Sequence, residues 1–131
     1  MRDFYFYTSK PMTANDCYEP LRKEIKYIEM NGNTDIWINY KKSRSFLWFY
    51  NERFEDYANF YETKEEFEAE KSLIPIKDPY FNHFESHRSI DVKRVLKVLM
   101  KIYPELYVSA DEDNPIWYGT AQEYIDTEFD Y

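Results

Sequence analysis

The clearest pattern in the chain is an alternation of apolar and polar positions over residues 34–51. The first run, 36–40, alternates isoleucine with tryptophan and asparagine, and a second β-rich run, 45–50, follows the polar stretch 41–44. Two such runs separated by four polar residues predict a β-hairpin with its turn in that stretch. The second run is apolar at both sets of alternating positions, which predicts a central strand covered on both faces.

Other segments have the sequence features of helices. Residues 90–103 combine an apolar stripe with an opposite basic face. Thr-x-x-Glu sequences at 63–66 and 120–123 are capping boxes, which predict a helix over 64–72 and a final helix after the second box. A proline followed by apolar residues at helical spacing predicts a further helix over 20–30.

Short β-rich runs at 4–8, 106–108 and 116–118 predict further strands. Residues 54–61 fit either a strand or a helical turn, and we favour the strand. Two prolines within 73–88 predict a long irregular connection. Together these elements predict one compact α+β domain over the whole chain, with a mixed or antiparallel sheet of about five or six short strands and about three or four helices.

Composition excludes several classes of site. The chain of 131 residues holds only two glycines, Gly32 and Gly119, so no glycine-rich phosphate loop and no nucleophile elbow can be written. The single cysteine, Cys17, rules out an internal disulfide and a cysteine-based zinc site. With neither a signal-peptide core nor a long apolar run, we expect a cytoplasmic protein that does not enter a membrane.

Charge is distributed unevenly along the chain. The net charge is -8, and all 17 lysines and arginines lie in residues 1–104. Residues 105–131 carry eight carboxylates and no basic side chain. Such acidic runs are commonly solvated surface, and the alternative is a surface that meets a basic partner. Direct binding to nucleic acid is disfavoured because it requires a basic footprint.

Aromatic content is the second unusual feature. Fourteen tyrosines, ten phenylalanines and three tryptophans exceed what a core of this size is expected to absorb. Tyrosine is enriched at protein interfaces because it combines a large apolar area with a polar tip. The sequence therefore predicts a partner-binding surface in the acidic C-terminal region. Its predicted residues are Asp111, Glu112, Asp113, Trp117, Tyr118, Glu123 and Asp126.

Candidate catalytic and metal residues are few. His83 and His87 flank Glu85 at a spacing that would put two imidazoles on one helix face, but a third zinc ligand would have to be a carboxylate. We favour polar loop histidines over zinc. The acidic run 111–114 begins like a calcium loop and lacks the sharp-turn glycine. Cys17 as a nucleophile has no identifiable thiolate stabiliser nearby. We expect no catalytic residue, no cofactor and no metal.

In general character the chain resembles small acidic bacterial immunity proteins, which neutralise a cognate toxin, often a basic nuclease. That resemblance carries no residue roles to this sequence. It implies a non-enzymatic inhibitor that acts by occluding a basic protein partner. The alternative is an enzyme or small-ligand-binding domain with an aromatic and carboxylate-lined pocket. A third hypothesis is a structural component that buries its aromatic residues in self-association.

Overall fold

Seven antiparallel strands form a single sheet in a computed structural model that describes residues 1–39, 43–111 and 115–130. The strands are β1 (Arg2–Thr8), β2 (Ile28–Asn31), β3 (Asp35–Asn39), β4 (Arg44–Arg53), β5 (Tyr80–Ser86), β6 (Tyr107–Ala110) and β7 (Trp117–Thr120). Their order across the sheet is β2-β3-β4-β5-β1-β6-β7. The α+β class is confirmed, with one antiparallel sheet and more strands than the sequence predicts.

Four α-helices and a 3₁₀ helix within these described ranges flank the sheet. They are α1 (Ala14–Glu24), η1 (Phe54–Phe60), α2 (Lys64–Lys71), α3 (Ser89–Ile102) and α4 (Ala121–Ile125). Helices α1, α3 and α4 pack on one face, which we call the helical face, whereas η1 and α2 lie on the other. In the part of the chain that the structure describes, no helix has the length and apolar character needed to cross a lipid bilayer.

The main core lies between the helical face and its three helices. Phe4 and Phe6 of β1 and Phe84 of β5 are fully buried there, because alternate residues of a strand point to the same side. Leu96 and Leu99 of α3 pack into the same cluster and are also fully buried. The predicted apolar stripe of α3 is therefore the surface that holds this helix on the sheet.

The opposite side of the sheet, which we call the aromatic face, is built from the intervening strand positions. Its aromatic rings are Tyr5, Tyr7, Trp37, Phe46, Trp48, Tyr50, Phe81, Tyr107 and Tyr118. A small second core, in which Tyr7 packs with Phe54 and Phe67, covers one end of this face. Beyond η1 and α2, Tyr5 remains 36% exposed and Tyr50 54% exposed. Strand β4 is central, as predicted, but its aromatic side is not fully covered.

The prediction of an irregular connection over 73–88 is wrong, because this segment contains β5, which pairs with β1 and β4. Two buried positions of this strand carry polar side chains, which hide the apolar alternation. The Asn82 side chain donates to Asn51 Oδ1 at 3.0 Å, and the hydroxyls of Ser86 and Ser45 lie 2.9 Å apart. These partners satisfy the buried polar groups and let them occupy a central strand.

Two further predictions are wrong. The predicted helix over 20–30 is replaced by α1 and β2. The Thr13 hydroxyl accepts from the Asp16 N–H at 3.1 Å, so the helix begins earlier than predicted and Pro20 lies inside it. A strand over 54–61 is replaced by η1, whose apolar side chains recur at helical rather than strand spacing and pack into the second core.

The predicted hairpin is confirmed as β3 and β4, although residues 40–42 at its turn lie outside the described residues. The second capping box is also confirmed: Thr120 Oγ1 accepts from the Glu123 N–H, and the Glu123 carboxylate accepts from the Thr120 N–H. Other elements are confirmed to within a few residues: the strands at 4–8, 106–108 and 116–118 and the helices at 64–72 and 90–103.

Truncating a core residue of α3 tests this packing. We expect Leu99→Ala to lower the free energy of unfolding by about 2–5 kcal/mol, since Leu99 is fully buried. The matched control is Lys97→Ala on the exposed side of the same helix, which should change it by about 0.5 kcal/mol or less. Urea denaturation measures both. Equal effects for the two variants would contradict the assigned orientation of the helix.

Candidate functional site

A cavity of about 500 Å³ opens on the aromatic face beside η1 and α2. We call it the tyrosine pocket. Its six tyrosines are Tyr5, Tyr7, Tyr50, Tyr57, Tyr61 and Tyr118. Its four carboxylates are Asp3, Glu52, Glu70 and Asp111. Phe54, Phe81, His83, Ser109 and Ile116 complete the lining. Among the described residues that line it, none is a lysine or an arginine.

Strand alternation supplies one wall of the pocket. Asp3, Tyr5 and Tyr7 are every second residue of β1, so all three point to the aromatic face while the phenylalanines between them enter the core. The β1–β5 register places Tyr5 opposite His83 and Tyr7 opposite Phe81. A short sequence of alternating residues therefore provides acidic, phenolic and imidazole groups at one place.

An irregularity in β4 shapes the opposite wall. The β4–β5 register shifts between Trp48 and Glu52, and Asn51 lies in this bulge with φ 49°. This left-handed conformation is one that asparagine tolerates better than most residues. The Asn51 side chain holds it in place by accepting from the Met12 N–H at 2.8 Å and donating to the Met12 carbonyl at 2.7 Å. Glu52, the next residue, lines the pocket.

Glu70 brings a carboxylate from α2 into the pocket. The Tyr118 hydroxyl donates to Glu70 Oε1 at 3.0 Å. Burial, reinforced by the Glu70 carboxylate, raises the pKa of Tyr118 and of Tyr61 far above the ordinary tyrosine value. Both phenols therefore stay neutral hydrogen-bond donors through the physiological range.

The pKa values of two further phenols of the pocket, Tyr5 and Tyr7, are raised as well. Burial raises the pKa of Tyr7, whose hydroxyl lies 3.1 Å from the Ser109 hydroxyl. Burial also raises the pKa of Tyr5, and the nearby Asp3 and Glu85 carboxylates add to that shift. A pocket with neutral phenols and several carboxylates, and with no lysine or arginine among its described lining residues, has a negative potential. That potential favours a positively charged ligand.

His83 is held rigidly at the edge of the pocket. Its ring is stacked between Tyr5 and Trp48, with centroid separations of 5.1 Å on both sides. Its Nε2 lies 2.8 Å from Asp3 Oδ1 and 3.5 Å from Glu85 Oε1. The imidazole orientation is thus fixed by two rings and two carboxylates.

The helical spacing considered for His83 and His87 does not occur, because the segment is a strand. His83 lies within β5 on the aromatic face, whereas His87 follows the end of the strand and is exposed. Among the described residues, the grouping with metal-ligand spacing contains Asp3, His83 and Glu85 and does not include His87.

Trp117 and Tyr118, both predicted to bind a partner, point to opposite sides of the sheet. The Trp117 ring packs edge-on against Tyr124 of α4 at 5.2 Å on the helical face. Tyr118 lies on the aromatic face and reaches Glu70. Of these two adjacent residues, only Tyr118 contributes to the pocket.

The predicted acidic residues also separate. Asp111 lines the tyrosine pocket, whereas Glu123 and Asp126 belong to the α4 region, where Glu123 caps the helix and Asp126 accepts from Gln122. Glu112 and Asp113 lie outside the described residues. The predicted set is therefore distributed over more than one surface, and only Asp111 and Tyr118 of the described members meet at the pocket.

Sequence reasoning missed most of the pocket because its residues come from distant parts of the chain. The lining runs from Asp3 to Tyr118, and Glu52 and Glu70 each lie in a different element. One local signal was available: in residues 3–7 an acidic residue and two tyrosines alternate with phenylalanines. Such a strand has an apolar side and a polar aromatic side. This pattern indicates that the polar aromatic side is not packed in a purely apolar core.

Cys17 lies in the main core rather than at the pocket. It is fully buried against the helical face, and its Sγ is 4.0 Å from the Tyr103 hydroxyl. Burial raises the pKa of its thiol to about 12. This environment suppresses the thiolate, so the geometry gives no support to a nucleophilic role.

None of the protein-family models matches this chain, and neither does any curated protein or solved structure compared with it. Any functional conclusion therefore rests on the geometry and chemistry of the pocket.

Thiol alkylation tests the environment of Cys17. Because the pKa of about 12 exceeds the ordinary cysteine value, we expect iodoacetamide to label the native protein at least about a hundredfold more slowly than the urea-unfolded chain at neutral pH. The thiol's contribution to stability is complete below the pKa of the unfolded cysteine and declines as pH rises through that value toward 12. Mass spectrometry follows the labelling, with Cys17→Ser as the unreactive control. Rapid labelling of the native chain would contradict the assignment.

Proposed function

We propose that this protein binds and occludes a basic protein partner by taking a positively charged side chain of that partner into the tyrosine pocket. One observation carries the proposal: Asp3, Glu52, Glu70 and Asp111 converge on a cavity whose described lining includes neither lysine nor arginine. Among the described lining residues, these four carboxylates are accompanied by His83 but by no lysine or arginine, so the lining is rich in negative charge. A cationic side chain balances that charge.

The aromatic lining suits the same ligand. A lysine or arginine head group near a tyrosine face gains about 0.5–2 kcal/mol from the interaction with the ring, and more as water is excluded. The methylene stem of such a side chain packs on apolar surface, which Phe54 and Phe81 provide within the pocket. Phenol hydroxyls and carboxylates then accept hydrogen bonds from the charged end.

A protein is the partner that best matches the surface around the pocket. A row of rings continues from Tyr50 through Trp48 and Phe46 to Trp37, with neighbouring centroids 5.4–6.5 Å apart. Trp37, Phe46 and Trp48 are half-buried and Tyr50 is exposed, so the row reaches the surface. Tryptophan and tyrosine commonly dominate the binding energy of protein interfaces. The net charge of -8 adds long-range attraction for a basic protein.

A small organic cation is the second candidate ligand, and the concavity of the site favours it. The volume of about 500 Å³ falls within the range of about 300–1,000 Å³ that is common for small-molecule pockets. The chemistry of recognition would be the same, and the aromatic row outside the pocket would then have no part in binding.

Affinity capture from an extract of the host organism, with matched charge variants, tests the proposed function. We expect the wild type to retain a basic protein in stoichiometric amount. The pocket variant Glu52→Gln with Asp111→Asn should bind that protein at least about tenfold more weakly, because an ion pair within the pocket loses its partners. The control, Glu62→Gln with Glu65→Gln, removes the same charge from exposed positions outside the pocket.

The control variant should bind within about threefold of the wild type. Equal weakening in both variants would show that only net charge matters, and failure of the wild type to retain a basic protein would refute the proposal. Calorimetric titration with N-acetyl-arginine amide separates the second candidate: tight saturable binding of this compound alone, with no protein retained, favours a small-molecule site.

A further inference from the structure

We propose that Asp3, His83 and Glu85 form a zinc-binding site at the edge of the tyrosine pocket. One ligand atom from each residue lies within 4.8 Å of the other two. This site goes beyond the proposed function, because Glu85 is not part of the pocket lining and a metal ion is a different ligand from a partner's side chain.

Two of the three separations between the ligand atoms are close to what zinc requires. His83 Nε2 is 2.8 Å from Asp3 Oδ1 and 3.5 Å from Glu85 Oε1. Tetrahedral zinc with bonds of about 2.0–2.1 Å places its ligand atoms about 3.3 Å from one another. These two separations bracket that value, and the Asp3–Glu85 separation is within 4.8 Å, so rotation of the two carboxylate side chains would complete the geometry.

The backbone holds the three residues in this arrangement. Asp3 and Glu85 are direct cross-strand partners in the β1–β5 pair, and His83 is two positions before Glu85 on the same side of β5. The site is therefore part of the central strands of the sheet and does not depend on a loop. Sites on such elements are more rigid than sites on loops.

His83 is preorganised as a ligand. Stacking between Tyr5 and Trp48 fixes the plane of the imidazole, and its side chain is only 18% exposed. One imidazole with two carboxylates is a donor set that suits zinc, and magnesium rarely takes imidazole. The His83–Asp3 hydrogen bond occupies the position that the metal would take, so zinc binding replaces this hydrogen bond.

Three protein ligands leave one tetrahedral position for water or another molecule. Asp3 and His83 both line the tyrosine pocket, so this open position is adjacent to the cavity. Zinc there would offer a coordination site to an oxygen or nitrogen donor held in the pocket.

Calorimetric titration of the chelator-treated full chain with zinc chloride tests the site. We expect one zinc per chain for the wild type and for His87→Ala, the matched histidine control, because His87 is exposed and outside the cluster. His83→Ala, Asp3→Asn and Glu85→Gln should each bind at least about tenfold more weakly. Magnesium chloride should not replace zinc.

Thermal unfolding without metal establishes whether each variant is folded. Asp3→Asn and Glu85→Gln preserve the shape of the side chain, whereas His83→Ala does not. Added zinc should raise the melting temperature of the wild type and His87→Ala by more than that of His83→Ala, Asp3→Asn or Glu85→Gln. The pocket variant Glu52→Gln with Asp111→Asn should keep zinc binding, which separates this site from the proposed function. Zinc binding that survives in folded Asp3→Asn and Glu85→Gln, or no stoichiometric binding by the wild type, would overturn the proposal.

Discussion

Strands β1 and β5 pair with Tyr5 opposite His83, and the rest of the structure depends on this register. On one side the pairing buries Phe4 and Phe84 against the helices, and on the other it presents Tyr5 and His83 to the tyrosine pocket. Because side chains alternate, a slip by one residue would send the phenylalanines to the pocket and the acidic and phenolic groups into the core. The free energy of core burial therefore also fixes the geometry of the candidate site.

The aromatic face combines exposed rings with carboxylates and is only partly covered by η1 and α2. Neighbouring carboxylates repel one another, and the free-energy cost of this repulsion is lower when a positive group enters. A partner's cationic side chain and a zinc ion both meet this requirement, at adjacent places that share Asp3. Because both ligands are positive and use one carboxylate, each should weaken the binding of the other.

Sequence patterns could predict the elements that are stabilised by contacts between residues close in sequence, or that bury only one apolar side. The stripe of α3, the Thr120 box and the β3–β4 hairpin each have a signal within a few residues, and the structure contains all three. Strand β5 gave no such signal, because Asn82 and Ser86 occupy buried positions and find their partners only in the folded sheet. The pocket could not be predicted for the same reason: its residues become neighbours through strand order, which composition and spacing do not specify.

In the proposed function, a cationic group enters the tyrosine pocket. Nuclear magnetic resonance titration of the isotope-labelled protein with a short arginine-containing peptide tests it most directly. We expect saturable chemical-shift changes that centre on Tyr5, Tyr50 and Tyr118, with no change at Glu123 and Asp126 of the α4 region. Changes centred on Glu123 and Asp126 instead, with the pocket tyrosines unaffected, would contradict it.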